Sequence, residues 1–593
     1  MVAIKPPTAH PAQLQPSWYR ASPMRDPATP QQGVDSRSVV WLESAAVFVV
    51  AMVVRAVFVL ELRDESYLGN IRVSDAGTYF QLAQQLLAGT EPFEPYWQAP
   101  LYPIMLSVFQ FLFGEHLEAV QWLHIAIGSL NCVLIHRLTK ALFGERAAWV
   151  AAGMAAFYAP FLIFDVQPLP TNLAVLLNLV LILSYLRFRK SGDLGVLVIS
   201  GLVLGAAIVT HGLAIFTLPL FVYDLVRRSR HESEPAARAM STIATFVVCA
   251  LLLPGSVSIR NSFAAGTPTF VSYNAGINLY LGNSRDLEET LGRRGGYEWG
   301  ELFRAPYTSG AKEPAAMNAF FVRAAINEWL EAPAAMLVTL SKKVLISIGA
   351  SESKRNFPIY PLRESSLVLR LLLYEVEVLG VVVFAFPAGL VIPLALLGVL
   401  VARKANLGAR AAQDDVMFPA KVAGFYLLGM LLFFPTARYR VPGLALLLPY
   451  AAAMAVRLYG EFVADKKART RVGVGAISAV LLLLLVNPLA SNVFRHNVED
   501  RAEHLYYTAL WAAEKLRYVN SRQIESEMVA AAFEAMRIDP VYPEPVGFLG
   551  VYYLHRDIDR AIAFFVKLDE LVPKDLDVIN QYKAAVAIRD AQP

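Results

Sequence analysis

The chain has 593 residues, 56% hydrophobic and 17% charged, with a formal net charge of +4 and a mean hydropathy of +0.44. A soluble domain carries about 25% charged residues, so this composition excludes an ordinary water-soluble protein and fits a surface that largely faces lipid. The small positive balance is spread over many loops and forms no basic stripe, which excludes nucleic acid as a partner, and two cysteines, Cys132 and Cys249, each inside an apolar run, exclude a disulfide framework.

Residues 1–37 are polar and proline-rich and read as a disordered cytoplasmic tail. The first apolar run starts near Val39 without a small-residue cleavage motif, so it is expected to remain as an anchor. A helix needs roughly 20 mostly apolar residues to cross a bilayer. Eleven runs are candidates: 39–60, 118–136, 147–163, 170–186, 195–210, 212–226, 240–257, 375–401, 417–434, 441–456 and 472–489. Cytoplasmic loops are enriched in Lys and Arg. With eleven spans, the clusters at Arg137–Arg146, Arg187–Lys190, Arg227–Arg238, Arg403–Arg410 and Arg457–Arg471 all fall on the side of the N-terminal tail. The expected topology has the N-terminus in the cytoplasm and the C-terminus outside. The short loop Pro435–Arg440 is the exception, because it puts Arg438 and Arg440 on the other face.

Two long segments, 61–117 and 258–374, and the tail 492–593 are then extracytoplasmic. The first holds SDAGTYFQLAQQLLAG, in which Ser74 is a fitting N-cap and Gly89 a fitting stop. Tyr79, Leu82, Ala83 and Leu86 recur at helical spacing, and this apolar face suits the membrane interface. Asp75 falls in the first turn, where it either complements the helix dipole or does chemistry. QAPLYPIML follows and re-enters the bilayer. The turn FLIFDVQPL carries Asp165, an interfacial cap or a second functional carboxylate. The long segment opens with Arg260 and Asn261 and continues through Gly276, Asn278, Gly282 and Asn283, a turn-rich stretch whose Asn and Gly residues tolerate positive φ. Further on, SESKRNFPIY groups Glu352, Lys354, Arg355 and Asn356. In the tail, Ala561, Phe565 and Pro573 fit part of a tetratricopeptide repeat, and AAFEAMRIDP resembles the end of another. A short helical-repeat domain is expected over 492–593.

Taken in order, SDAGTYFQLAQQLLAG with QAPLYP, LFGERAAWVAAGMAAFYAPFLIF, GLVLGAAIVTHG, SIRNSFAAG with NAGINLYLGN, SESKRNFPIY and TARYRVP resemble a GT-C glycosyltransferase, close to the family 39 and lipid A aminoarabinose transferase relatives. The resemblance covers about residues 40–490, within an expected transmembrane glycosyltransferase domain of 38–491. It implies an all-α polytopic fold of the GT-C type, a polyprenyl-phosphate sugar as donor, work on the outer face of the inner (cytoplasmic) membrane, and a functional role for Asp75. Two departures stand out. Relatives carry an Asp-Glu pair where this chain has Asp75 followed by Ala76, which weakens any metal site, and His211 occupies a position where they carry Lys or Arg, which makes charge compensation there pH-dependent.

The residues permit a single inverting displacement. Asp75 is the expected general base, its pKa raised by partial desolvation at the interface. Arg438 and Arg440 are the expected phosphate partners through bidentate guanidinium contacts, assisted by His211 and Arg260. Tyr79, Asp165, Asn261, Asn278, Asn283, Glu352 and Arg355 are candidates for sugar or acceptor contacts. A lone carboxylate ligates a hard divalent cation poorly, so no metal or other cofactor is expected. The acceptor is a protein, a lipid or a glycan, and membrane lipid surrounds the chain. The competing readings are a transporter or lipid flippase, a membrane scaffold working through its tail, and, within the enzyme class, a lipid-linked glycan ligase or polymerase. The halves show no internal repeat of the kind transporters carry.

Overall fold

Backbone in hydrocarbon must satisfy its own hydrogen bonds, so apolar runs become helices. The computed structural model describes residues 36–379, 381–404, 410–464, 487, 497–573 and 575–591. Two units divide the chain. Met1–Ala45 is described only over its opening helical turns, and Ala46–Pro593 holds all else. The expected tail 1–37 and the expected eleventh span 472–489 lie almost wholly outside the described residues.

The first part runs through α1 (Ser36–Glu65), α2 (Asp75–Ala88), α3 (Leu101–Phe113), α4 (Leu117–Phe143), α5 (Glu145–Ala156), α6 (Ala159–Val166), α7 (Thr171–Ser191), α8 (Leu194–Ile208), α9 (Leu218–His231) and α10 (Ala236–Ala265). The outer segment folds as α11 (Ala275–Gly282), α12 (Leu287–Gly292), α13 (Tyr297–Thr308), α14 (Pro314–Glu331), α15 (Pro333–Ile348) and α16 (Leu367–Leu372). An antiparallel hairpin follows, β1 (Tyr374–Val378) with β2 (Val381–Phe386), in which Tyr374 pairs with Phe386. Then come α17 (Ala388–Lys404), α18 (Arg410–Leu432) and α19 (Ala437–Ala464). The tail contributes α20 (Asn497–Leu516), α21 (Arg522–Ile538), α22 (Pro543–Tyr553), α23 (Ile558–Leu571) and α24 (Leu576–Asp590).

Six helices among the described residues are long and apolar enough to cross a membrane, and the bent pair α5–α6, broken by 49°, makes a seventh. The protein is a multi-pass membrane protein. The count of eleven is not reproduced, for physical reasons. α8 has 15 residues, about 22 Å at 1.5 Å per residue, short of the roughly 30 Å hydrocarbon layer. The expected span at 212–226 is split into a 3-10 turn, Gly212–Thr217, and α9, which ends in Arg228, Arg230 and His231. The run 375–401 begins as the hairpin, because Tyr-Glu-Val-Glu-Val alternates as a strand does, and only Ala388 onward is helical.

Burial separates inner from outer helices. α10 exposes Val248, Leu252, Ile259 and Phe263, the surface expected of a lipid-facing helix. It lies tightly on α8, where a Cβ on Gly201 would come 2.7 Å from Cys249 Cβ and one on Gly205 would come 2.8 Å from Ala250 O. Small residues four apart permit such close approach in lipid. Cys249 is thereby half-buried and Cys132 fully buried. α19 is the central helix and packs on α17, α18, α5, α7 and α4. Buried at its flank, Arg55 of α1 donates to Asp165 of α6 at 2.7 Å.

The tail docks on the outer segment. Arg294 reaches Asp539 at 2.6 Å, with 5% and 7% of the two side chains exposed. Lys354 reaches Asp500 at 2.6 Å and Glu503 at 2.8 Å. Tyr297 N–H donates to Glu544 at 2.7 Å. Within the tail, Ala561, Phe565 and Leu568 join one apolar cluster with Val546, Val578 and Ala585.

Candidate active site

α2 opens at Asp75 and stops at Gly89, whose φ of 67° is left-handed, as its sequence suggests. Its buried face, Ala76, Tyr79, Phe80 and Ala83, packs on protein and not on the membrane interface, because α3 and neighbouring helices cover it. Ser74 occupies the cap position with φ of 52° and no side-chain capping bond. Its hydroxyl instead accepts from Asn356 Nδ2 at 3.4 Å.

That bond belongs to a small network. Arg438 Nη1 donates to Asp75 Oδ2 at 2.7 Å and to Asn356 Oδ1 at 2.9 Å. The Arg438 side chain is 4% exposed and that of Asp75 33%. Burial pushes the Asp75 carboxyl upward, but the Arg438 charge, hydrogen bonds from Asn356 and Arg438, and the Arg355 charge outweigh it and hold the group below its ordinary 3.8. The expected upward shift is corrected: Asp75 is an ionised, guanidinium-paired carboxylate.

Asp75 lines a cavity of about 640 Å³. Half of the residues singled out from sequence meet there: Asp75, Tyr79, His211, Asn278, Arg355 and Arg438. Tyr79 is buried edge-on against Tyr102, with ring centroids 5.2 Å apart. The His211 ring lies 4.8 Å from that of Tyr439, and its Nδ1 shares a 3.2 Å hydrogen bond with Tyr426. Burial, then the nearby Arg438 charge, pushes this imidazole down to about 3. The expected pH-dependent charge compensation at His211 is therefore corrected, since the ring is neutral across the physiological range. Arg355 stacks at 5.0 Å on Trp299 and 5.4 Å on Phe434. No ion pair of Arg355 occurs among the described residues, and burial lowers its pKa.

The other half lies elsewhere. Arg440 is not on the cavity wall: it donates to Glu352 at 2.7 Å and to Gly349 O at 2.8 Å, and Tyr158 donates to Glu352 at 3.2 Å. The reason is geometric. The segment taken for a loop is the first turn of α19, and residues two apart on a helix are rotated by about 200°, so Arg438 and Arg440 point to different sides. Arg260 donates to Glu91 at 2.8 Å and lies 4.0 Å over Tyr96. Asn261 ties down the loop, accepting from Tyr96 N–H at 3.2 Å and donating to Phe270 O and Val271 O at 2.9 Å each. Asn283 donates to Leu279 O and Leu432 O and accepts from Trp329 and Lys343. Asp165 is held by Arg55 in a separate small void beside Gly128, where a Cβ would meet its carboxylate at 2.1 Å.

Sequence reasoning missed the wall that the tail supplies: Tyr506, Tyr507, Leu510 and Glu544. Glu544 is 6% exposed. Its Oε1 accepts from Tyr297 N–H, while Oε2 has no partner among the described residues. Burial pushes this carboxyl up to about 7. Nothing local in PVYPEPVG marks it, since an acidic residue in a first helical turn is ordinary. Asn356 had a signal, its place in the SESKRN cluster. Among the described residues no group of three or more His, Cys, Asp or Glu side chains is arranged to hold a metal ion.

No curated protein matches the chain. Of solved structures, the archaeal oligosaccharyltransferase AglB from Archaeoglobus fulgidus, in complex with an inhibitory peptide and a dolichol-phosphate, superposes with a TM-score of 0.41 at 12% identity, over 82% of this chain and 58% of that one. ArnT from Cupriavidus metallidurans, bound to undecaprenyl phosphate, superposes with a TM-score of 0.30 at 17% identity, over 72% of this chain and 80% of that one. The chain thus spans little more than half the archaeal enzyme's length, and at these scores no residue can be transferred from either. Residues 97–253, about a quarter of the chain, match the family model described as dolichyl-phosphate-mannose-protein mannosyltransferase. That stretch carries Trp97, Gln98 and His211 of the cavity wall together with α3 to α9.

Proposed function

We propose that this protein transfers a sugar from a polyprenyl-phosphate-linked donor to an acceptor on the extracytoplasmic face of the inner membrane, with Asp75 as general base. The observation that carries the reading is the placement of a paired carboxylate and guanidinium, Asp75 and Arg438, beside Arg355, a guanidinium without an ion pair among the described residues, in the lining of one cavity. The family matched by residues 97–253 is described as using a dolichyl-phosphate sugar, and this favours the same donor class.

The chemistry follows from the charges. An arriving donor phosphate competes with Asp75 for Arg438 and finds a second cation in Arg355. Guanidinium binds phosphate oxygens in a planar fork. As Arg438 turns to the phosphate, Asp75 loses its counterion and its affinity for a proton rises. The acceptor O–H or N–H then gives its proton to Asp75, the acceptor atom bonds to the anomeric carbon, and the carbon–oxygen bond to the phosphate breaks. Polyprenyl phosphate leaves, held by the two arginines, and the anomeric configuration inverts. In this reading guanidinium charge neutralises the leaving group, and Asp75, a lone carboxylate, offers little to a divalent cation.

The test uses purified protein in liposomes with a polyprenyl-phosphate mannose. Asp75→Asn should cut kcat by 10²- to 10⁴-fold, the usual effect of removing a general base, while undecaprenyl phosphate binding is retained. An Asn variant with full turnover would exclude Asp75 as the base.

A further inference from the structure

The tail supplies part of the wall of the cavity that holds the proposed phosphate site, and its contribution is chemical as well as steric. Tyr506, Tyr507 and Glu544 all line the space that Asp75 lines. The Gly295–Gly296 turn joins the two walls. A Cβ on Gly295 would sit 3.9 Å from both Ser74 Oγ and Tyr507 Oη, so the tail tyrosine lies close to the start of α2. At Gly296, φ is 117° and a Cβ would meet Glu544 Oε1 at 2.1 Å, so only glycine lets the backbone N–H of Tyr297 grip that carboxylate. Tyr507 is itself oriented by a 3.3 Å hydrogen bond to Glu503, which Lys354 holds at 2.8 Å.

This fixes one oxygen of Glu544 and leaves the other without a partner among the described residues, in a side chain only 6% exposed. Buried carboxylate oxygens are ordinarily satisfied, because an unmade hydrogen bond is costly. Glu544 lines the cavity, and its orphaned Oε2 is screened from water, so a ligand's donor group reaches it as the carboxyl turns toward the cavity. The nearby cations are otherwise engaged: Arg293 pairs with Glu289 and Glu301, and Arg294 with Glu298 and Asp539. Arg355 and Arg438 stand with Asp75 on the donor side.

We propose that Glu544 of the C-terminal tail is an acceptor-binding residue, whose free Oε2 receives a hydrogen bond from a hydroxyl or ammonium group of the acceptor, so that the tail selects the substrate. The inference rests on the glycosyl-transfer reading above. Burial that raises the Glu544 pKa toward neutrality adds a consequence, since acceptor binding then strengthens as the carboxyl ionises around pH 7.

The test uses the full chain in liposomes with labelled polyprenyl-phosphate mannose and an envelope extract of the source cell as acceptor, one half of it acetylated on its amines. Glu544→Gln keeps the oxygen that Tyr297 N–H needs. It should raise the half-saturating extract concentration at least 10-fold and flatten its dependence on pH between 6 and 8, with binding of undecaprenyl phosphate unchanged. Glu544→Asp should restore part of the loss and serves in its place where the Gln variant does not fold. Sensitivity to acetylation assigns an ammonium group, and indifference to it a hydroxyl. Unchanged half-saturation and pH dependence in both variants overturn the proposal while the donor reading stands. Failure of the wild type to bind undecaprenyl phosphate overturns the donor reading, and this proposal with it.

Discussion

Arg438 and Arg440 are two residues apart, yet helical rotation gives them different work. Arg438 shares Asp75 and Asn356 on the cavity wall, whereas Arg440 sits in a network with Glu352, Tyr158 and Gly349. Arg355, on aromatic faces and without an ion pair among the described residues, takes the place that Arg440 held in the sequence reading. Truncation should separate them. Arg355→Ala should weaken donor binding by about 1–3 kcal/mol, the scale of a charged hydrogen bond, with the melting temperature nearly unchanged. Arg440→Ala leaves Glu352 buried and uncompensated and should cost about 3–5 kcal/mol of stability, seen as a lower melting temperature. Equal losses of donor affinity in both would contradict this division. Arg438 and Arg440 were legible in sequence as exceptions to the positive-inside pattern, but their partners were not, because direction on a helix depends on where the helix begins.

Among the elements, α2 and the tail behave differently from their sequence description. α2 has the boundaries its Ser and Gly imply, but its amphipathic face is covered by protein, which periodicity alone cannot distinguish from a face covered by lipid. The tail is helical as its Ala and Phe spacing suggests, and ion pairs attach it to the outer segment. Lys354 is the anchor of α20, only 13% exposed between Asp500 and Glu503. The two carboxylates outweigh burial and hold its pKa above the ordinary 10.5. Lys354→Ala strips both acids of their partner and should cost about 3 kcal/mol. Limited proteolysis after residue 490 should accelerate, with acceptor use falling more than donor binding. A digestion pattern identical to wild type would show that the tail is held by other contacts.

For the whole molecule, the mechanism needs the tail and the cavity on the outer face and the basic helix ends on the other. Tyr518 is 82% exposed in the tail, and Ser191 is exposed at the end of α7. In a background of Cys132→Ala and Cys249→Ala, a membrane-impermeant maleimide should label Tyr518→Cys on intact cells. Ser191→Cys should be labelled only after permeabilisation. Labelling of both from one side would sink the topology and with it the shared site.

From the residues alone one reads a helical membrane protein, a helix that opens at Asp75, and candidate polar residues in 61–117, 258–374 and the stretch that became the first turn of α19. Those conclusions depend on apolar length, charge bias and local capping, all one-dimensional quantities. It took the folded arrangement to reveal that Asp75 is held by Arg438, that Arg440, Arg260, Asp165 and Glu352 serve other ion pairs or hydrogen bonds, and that Glu544, some 470 residues along the chain from Asp75, reaches the same cavity. Pairing of that kind depends on which helix faces meet, and no local spacing encodes it.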